Sequence, residues 1–82
     1  MLQERLPFKG RGRPSFQALR RCFKQRYSGG RLDAQDGVRL ELADGWIHVR
    51  PSNTEALIRV VVEERTEQKA RSLLKFALSN LT

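Results

Sequence analysis

Cysteine is almost absent from this chain. Cys22 is the only one among 82 residues, so no disulfide can form within it, and a reducing compartment suits it best. Histidine is equally scarce. His48 stands alone, and one imidazole without a second ligand is weak ground for a metal site. Carboxylates are few, nine Asp and Glu against sixteen Lys and Arg, and no Asp-rich run could cage magnesium. No apolar run approaches the ~20 residues of a membrane-spanning helix, and the opening residues lack a signal-peptide h-region. A cytoplasmic chain with no membrane partner and no metal of its own is expected. At 82 residues one domain is expected, with room for one sheet and two helices over a single core.

What is abundant is positive charge, and it is unevenly placed. Residues 1–31 hold nine of the sixteen basic residues and one acid, Glu4, whereas residues 32–82 hold seven basic and eight acidic groups. The net charge is +7. A basic surface attracts phosphorylated metabolites, nucleic acid, acidic headgroups or an acidic partner, and charge alone does not choose among them.

Periodicity supplies the architecture. Residues 1–13 are basic and glycine-dotted, and read either as a short edge strand or as a partly disordered lead-in. Phe16, Leu19, Phe23 and Tyr27 recur at helical spacing, with Cys22 on the same side as a small buried hydrophobe. Ser28-Gly29-Gly30 ends that helix. Beyond Asp36-Gly37 the period becomes two: Val38, Leu40 and Leu42 alternate with Arg39 and Glu41. Asp44-Gly45 suits a two-residue hairpin turn, which would pair Leu42 with Ile47 and Leu40 with Val49. His48 would then lie opposite Glu41 on the outer face, as half of a cross-strand charge pair rather than a catalytic group. Asp33, Asp36 and Asp44 read as turn residues. Ile58, Val60 and Val62 form a further inward set. Thr66 reads as a helix N-cap ahead of an apolar stripe at Ala70, Leu73, Leu74, Ala77, Leu78 and Leu81. The expected fold class is α+β: an antiparallel sheet of about four strands with two helices on one face.

One loop carries chemistry. Arg50 ends one strand and Arg59 lies on the next, both on the face away from the core, with Pro51-Ser52-Asn53-Thr54-Glu55 between them. Guanidinium is a planar fork that matches phosphate oxygens two at a time. Ser52 and Thr54 add hydroxyls, Asn53 an amide, and a tight turn can aim backbone N–H groups at one anion. The same residues are also ordinary turn chemistry, and spacing alone leaves both readings open.

The stretch Asp36-Gly37-Val38, Asp44-Gly45-Trp46, Arg50-Pro51-Ser52-Asn53-Thr54-Glu55, Arg59 and Glu63 closely resembles the C-terminal domain of the α-D-phosphohexomutases. These are the phosphomannomutases, phosphoglucomutases and phosphoglucosamine mutases. The likeness covers nearly the whole chain and is strongest from Asp36 to Glu63. It implies a fold related to the TATA-binding-protein half. It also implies a parent enzyme of four domains that interconverts hexose 1-phosphate and hexose 6-phosphate through a bisphosphorylated intermediate. By that resemblance Arg50, Ser52, Asn53, Thr54 and Arg59 hold the phosphate that is not being transferred. Magnesium and the phosphoserine belong to other domains, so this chain holds no cofactor and no catalytic residue, and alone it binds without turnover. Asn53 leans toward the phosphomannomutase/phosphoglucomutase type, since glucosamine-type members more often have glycine there. Ala56 departs from the proline usual after the loop glutamate, which puts the stiffness of the loop exit in question.

The implied partners are a phosphosugar and the other domains of the parent enzyme. The alternative is a stand-alone basic nucleic-acid-binding module, supported by the basic first third and a sequence pI of about 10.8. Against it, Phe16 and Phe23 belong to the helix stripe and are not interleaved with basic groups on a sheet face. A third reading is a pure protein-interaction domain that uses the polar sheet face around Trp46 and Arg39.

Overall fold

Alternation and helical spacing become a five-stranded sheet under two helices in a computed structural model, which describes residues 2–7, 16–33, 37–51 and 57–80. The elements run β1 (Leu2–Pro7), α1 (Phe16–Arg26), β2 (Arg31–Asp33), β3 (Val38–Glu41), β4 (Gly45–Pro51), β5 (Leu57–Glu64) and α2 (Glu67–Ser79). The strand order is β1-β5-β4-β3-β2, and every neighbouring pair is antiparallel. The α+β class holds, with one strand more than expected. The extra strand, β2, is three residues long and only Leu32 is drawn toward the core, so it carries no alternation to read. Asp33 thus lies in a strand, paired with Arg39, and not in a turn. Leu2–Pro7 form an edge strand.

The core follows from period two on the strands and period 3.6 on the helices. Val38, Leu40, Ile47, Val49, Ile58, Val60 and Val62 are buried from the sheet, and Leu19, Phe23, Ala70, Leu73 and Ala77 from the helices. All belong to one cluster, so both helices cover the same sheet face. Phe76, which the apolar stripe had left out, stacks on Phe23 at 5.8 Å between ring centroids and meets Tyr27 edge-on at 5.5 Å. These aromatic contacts join α2 to α1 across the top of the core. Cys22 is half-buried rather than buried.

The hairpin register differs from the expected one by two residues. Leu40 pairs with Ile47, Val38 with Val49 and Glu41 with Trp46. A two-residue turn at Asp44-Gly45 of the favoured mirror-image type needs positive φ at both positions. Among the described residues only Gly37 has positive φ. Gly45 instead belongs to the β4–β5 ladder opposite Glu64, where a side chain would collide with the Glu63 carbonyl. The chain turns through Leu42, Ala43 and Asp44, closed by the Leu42 N–H donating to the Gly45 carbonyl at 2.7 Å. A shift of two leaves every side chain on its expected face. It does move partners: His48 lies opposite Arg39, and Glu41 opposite Trp46.

Two local devices anchor the ends of these elements. The Thr66 hydroxyl accepts from the Lys69 N–H at 3.2 Å, capping α2 as expected, and Lys69 Nζ reaches Asp44 Oδ2 at 3.3 Å, tying the helix to the β3–β4 turn. Gly37 has φ +88°, and a Cβ there would strike the Val49 carbonyl and the Arg50 backbone. Replacing Thr66 with Ala is expected to cost about 1 kcal/mol in chemical denaturation; an unchanged midpoint would show that the cap adds nothing. Gly37→Ala combines strained φ with a backbone collision, so a loss of about 2–4 kcal/mol is expected, read as an earlier denaturation midpoint at constant slope.

Candidate phosphate site

The β4–β5 ladder places the two loop arginines. Ile47 and Val49 on β4, and Ile58, Val60 and Val62 on β5, are held in the core. Residues between them therefore face away from the helices: Trp46, His48 and Arg50 on β4, and Arg59, Val61 and Glu63 on β5. The register sets Arg50 directly opposite Arg59. Cβ atoms of such a pair lie about 4.5–5.5 Å apart, so both guanidinium groups rise from one spot. Arg50 is half-buried and Arg59 exposed. Facing like charges repel across a strand pair, and an anion held between them turns that repulsion into attraction for both.

Pairing runs on to Pro51 opposite Ile58. Residues 52–56 connect this strand to β5, which begins at Leu57. The sequence-expected site residues Ser52, Asn53 and Thr54 fall in that stretch, as do Glu55 and Ala56, and all lie outside the described residues. The structure thus joins Arg50 and Arg59 at the mouth of the loop. Gly37 abuts the Arg50 backbone from the β3 side, so the glycine of Asp36-Gly37 admits the close approach that seats Arg50. One residue that sequence reasoning missed is Arg5, which the β1–β5 register puts opposite Arg59. Its strand has too little alternation to be registered from sequence alone.

The rest of the outer face is occupied differently. The Arg39 guanidinium carbon lies 4.7 Å from the Trp46 ring centroid, and its Nε donates to Glu41 Oε1 at 3.2 Å. The expected placement of His48 opposite Glu41 is not the one found: the two-residue shift puts Arg39 opposite His48. A cation thus lies against the ring of Trp46. Arg20, Arg21, Lys24 and Arg26 are exposed on α1, on the opposite side of the sheet from Arg50 and Arg59.

An open groove of about 690 Å³ lies elsewhere, lined by Tyr27, Leu42, Asp44, Glu64, Lys69 and Leu73 among others. It sits where Gly45 meets Glu64, at the far end of β4 from Pro51. Seven residues of strand separate those ends, roughly 20 Å at ~3.3 Å per residue. Its carboxylates have the wrong sign for phosphate, and Lys69 is already paired with Asp44. Charge geometry, not concavity, therefore points to the arginine end. Among the described residues, no group of three or more His, Cys, Asp or Glu gathers that could hold a metal ion. No described helix is long and apolar enough to cross a membrane.

Comparison with known proteins agrees with the resemblance read from the loop. Residues 9–78 match the family model described as phosphoglucomutase/phosphomannomutase, C-terminal domain. A protein of Methanopyrus kandleri named "Probable phosphoglucosamine mutase" is 60% identical over 42 residues, covering 51% of this chain and 9% of that protein. The "Phosphoglucomutase/phosphomannomutase" of Thermococcus kodakarensis is 40% identical over 53 residues, 65% of this chain and 12% of its own length. A "Probable phosphoglucosamine mutase" of Pyrococcus abyssi is 33% identical over 63 residues, 77% of this chain and 14% of its own. The matched region thus spans about a tenth of each relative's length. With the family match running through β5 and most of α2, the chain belongs to the phosphoglucomutase/phosphomannomutase C-terminal domain family.

Proposed function

We propose that this chain is the phosphate-gripping domain of a larger phosphohexomutase, with Arg50, Ser52, Asn53, Thr54 and Arg59 as the grip. The observation that carries the reading is the direct pairing of Arg50 with Arg59 at the mouth of the loop. Two guanidinium forks offer paired N–H donors to phosphate oxygens. The loop hydroxyls and the Asn53 amide complete the set in this proposal.

A grip of this kind reads the phosphate and not the sugar. That property suits a mutase that moves a phosphoryl group between the 1- and 6-positions of a hexose. Its bisphosphorylated intermediate must turn around, so the same site has to accept either phosphate. Transfer itself would fall to other domains of the parent enzyme, as would magnesium. The domain would bind hexose phosphates alone and turn none over.

Affinity in isolation should be modest, because one phosphate supplies few contacts. A dissociation constant near ~1 mM corresponds to about 4 kcal/mol. Calorimetric titration with a hexose 6-phosphate tests this. Arg50→Ala and Arg59→Ala are each expected to weaken binding by about tenfold or more, with thermal stability nearly unchanged. Wild-type affinity retained in Arg50→Ala would remove the basis of the proposal. So would tight, salt-sensitive binding of a DNA duplex by a chain that ignores the sugar phosphate.

A further inference from the structure

The outer sheet face carries more positive charge at the loop end than the loop arginines alone supply. The β1–β5 register sets Arg5 opposite Arg59, and the β4–β5 register sets Arg50 opposite Arg59. Arg5, Arg59 and Arg50 therefore form one transverse row over three adjacent strands. Neighbouring strands lie about 4.8 Å apart, so the row is roughly 10 Å from end to end. No carboxylate belongs to it. The next row on this face is Gln3, Val61, His48, Arg39 and Asp33, whose single acid lies at the β2 edge opposite Arg39. On β5 itself the first acid on this face is Glu63, four residues along from Arg59, or roughly 13 Å at ~3.3 Å per residue. That exceeds the Debye length of about 8 Å in physiological salt. Glu4 pairs with Val60, whose side chain is in the core, so it belongs to the opposite face.

Like charges directly opposite one another destabilise a strand pair. A row of three costs more than a pair, and an anion with more than one negative charge placed over it offsets that cost. A phosphomonoester carries about −1.5 to −2 near neutral pH, and each added cation interacts more strongly with a dianion than with a monoanion. We propose that Arg5 is a third phosphate-binding arginine of this site and biases it toward phosphomonoester dianions over singly charged esters. This rests on the phosphate-grip reading above and adds a residue from outside the loop. The competing role for Arg5 is the ordinary one of an edge-strand charge that discourages strand-to-strand aggregation, which would leave ligand affinity untouched.

The test is calorimetric titration of the 82-residue chain with a hexose 6-phosphate and the matching hexose 6-sulfate, at about pH 8, where the phosphate ester is a dianion. Arg5→Gln is expected to weaken phosphate binding by about threefold to tenfold and sulfate binding by a smaller factor. Arg5→Lys should recover part of the loss, and Arg5→Glu should deepen it. Gln3→Ala, one row away on the same strand and face, serves as the control and should bind like wild type. Amide spectra of Leu2–Pro7 and Leu57–Val62 report whether β1 stays paired in each variant. Arg5→Gln binding as tightly as wild type, while Arg50→Ala does not bind, would overturn the role of Arg5 and leave the loop site standing. Equal losses for phosphate and sulfate would also overturn it, since loss of sheet integrity would explain them. Failure of the wild-type chain to bind either ester would overturn the phosphate grip and the Arg5 proposal together.

Discussion

The pairing of β4 with β5 is the constraint on which the other features depend. Seven residue pairs run from Gly45 opposite Glu64 to Pro51 opposite Ile58. The register sends Ile47, Val49, Ile58, Val60 and Val62 into the core. With the same stroke it sends Arg50 and Arg59 to the outer face side by side. A slip of one residue would expose the apolar set and bury two guanidinium groups, so hydrophobic burial itself holds the cations in register. Gly45 and Gly37 protect the arrangement at its two ends. Gly45 allows the Glu63 carbonyl to come close, and Gly37 allows the Arg50 backbone to do the same.

This arrangement puts the charged site on a rim rather than in a pocket. The helices cover one sheet face and the arginine row lies on the other, with Arg5 and Arg59 exposed and Arg50 half-buried. The groove near Glu64 and Lys69 lies at the other end of the strands and carries carboxylates. A rim site of this kind suits the proposed role as one part of a larger phosphohexomutase. The coverage of relatives fits that picture, since the chain matches about a tenth of each mutase it resembles.

Much of this was legible in the residues, for identifiable reasons. Period two at Val38–Leu42 and Ile58–Val62 assigned the sheet faces, because alternation survives any even shift in register. Thr66 announced its cap because the hydroxyl precedes a clean helical stripe. Asp44-Gly45 misled the register: a dipeptide that often makes tight turns here gives its glycine to the ladder, for a steric reason visible only once β5 is beside it. That shift also moved His48 from Glu41 to Arg39. β2 was invisible because three residues with one half-buried leucine carry no period. Arg5 was unreadable as a site residue because its meaning comes wholly from a partner more than fifty positions away. Phe76 escaped notice because its ring reaches sideways to Phe23 and Tyr27 from the flank of the α2 stripe. Ser52, Asn53 and Thr54 rest on the resemblance, outside the described residues.

The most direct test of a phosphate grip at the arginine end of the sheet is an amide NMR titration of the chain with glucose 1,6-bisphosphate, repeated with a short DNA duplex. Shifts confined to Arg50–Glu55, Arg59 and the adjoining end of β1 are expected with the sugar phosphate, and weak, scattered ones with DNA. A loop that stays silent at high millimolar sugar phosphate, alongside strong salt-sensitive DNA shifts on α1, would contradict the account.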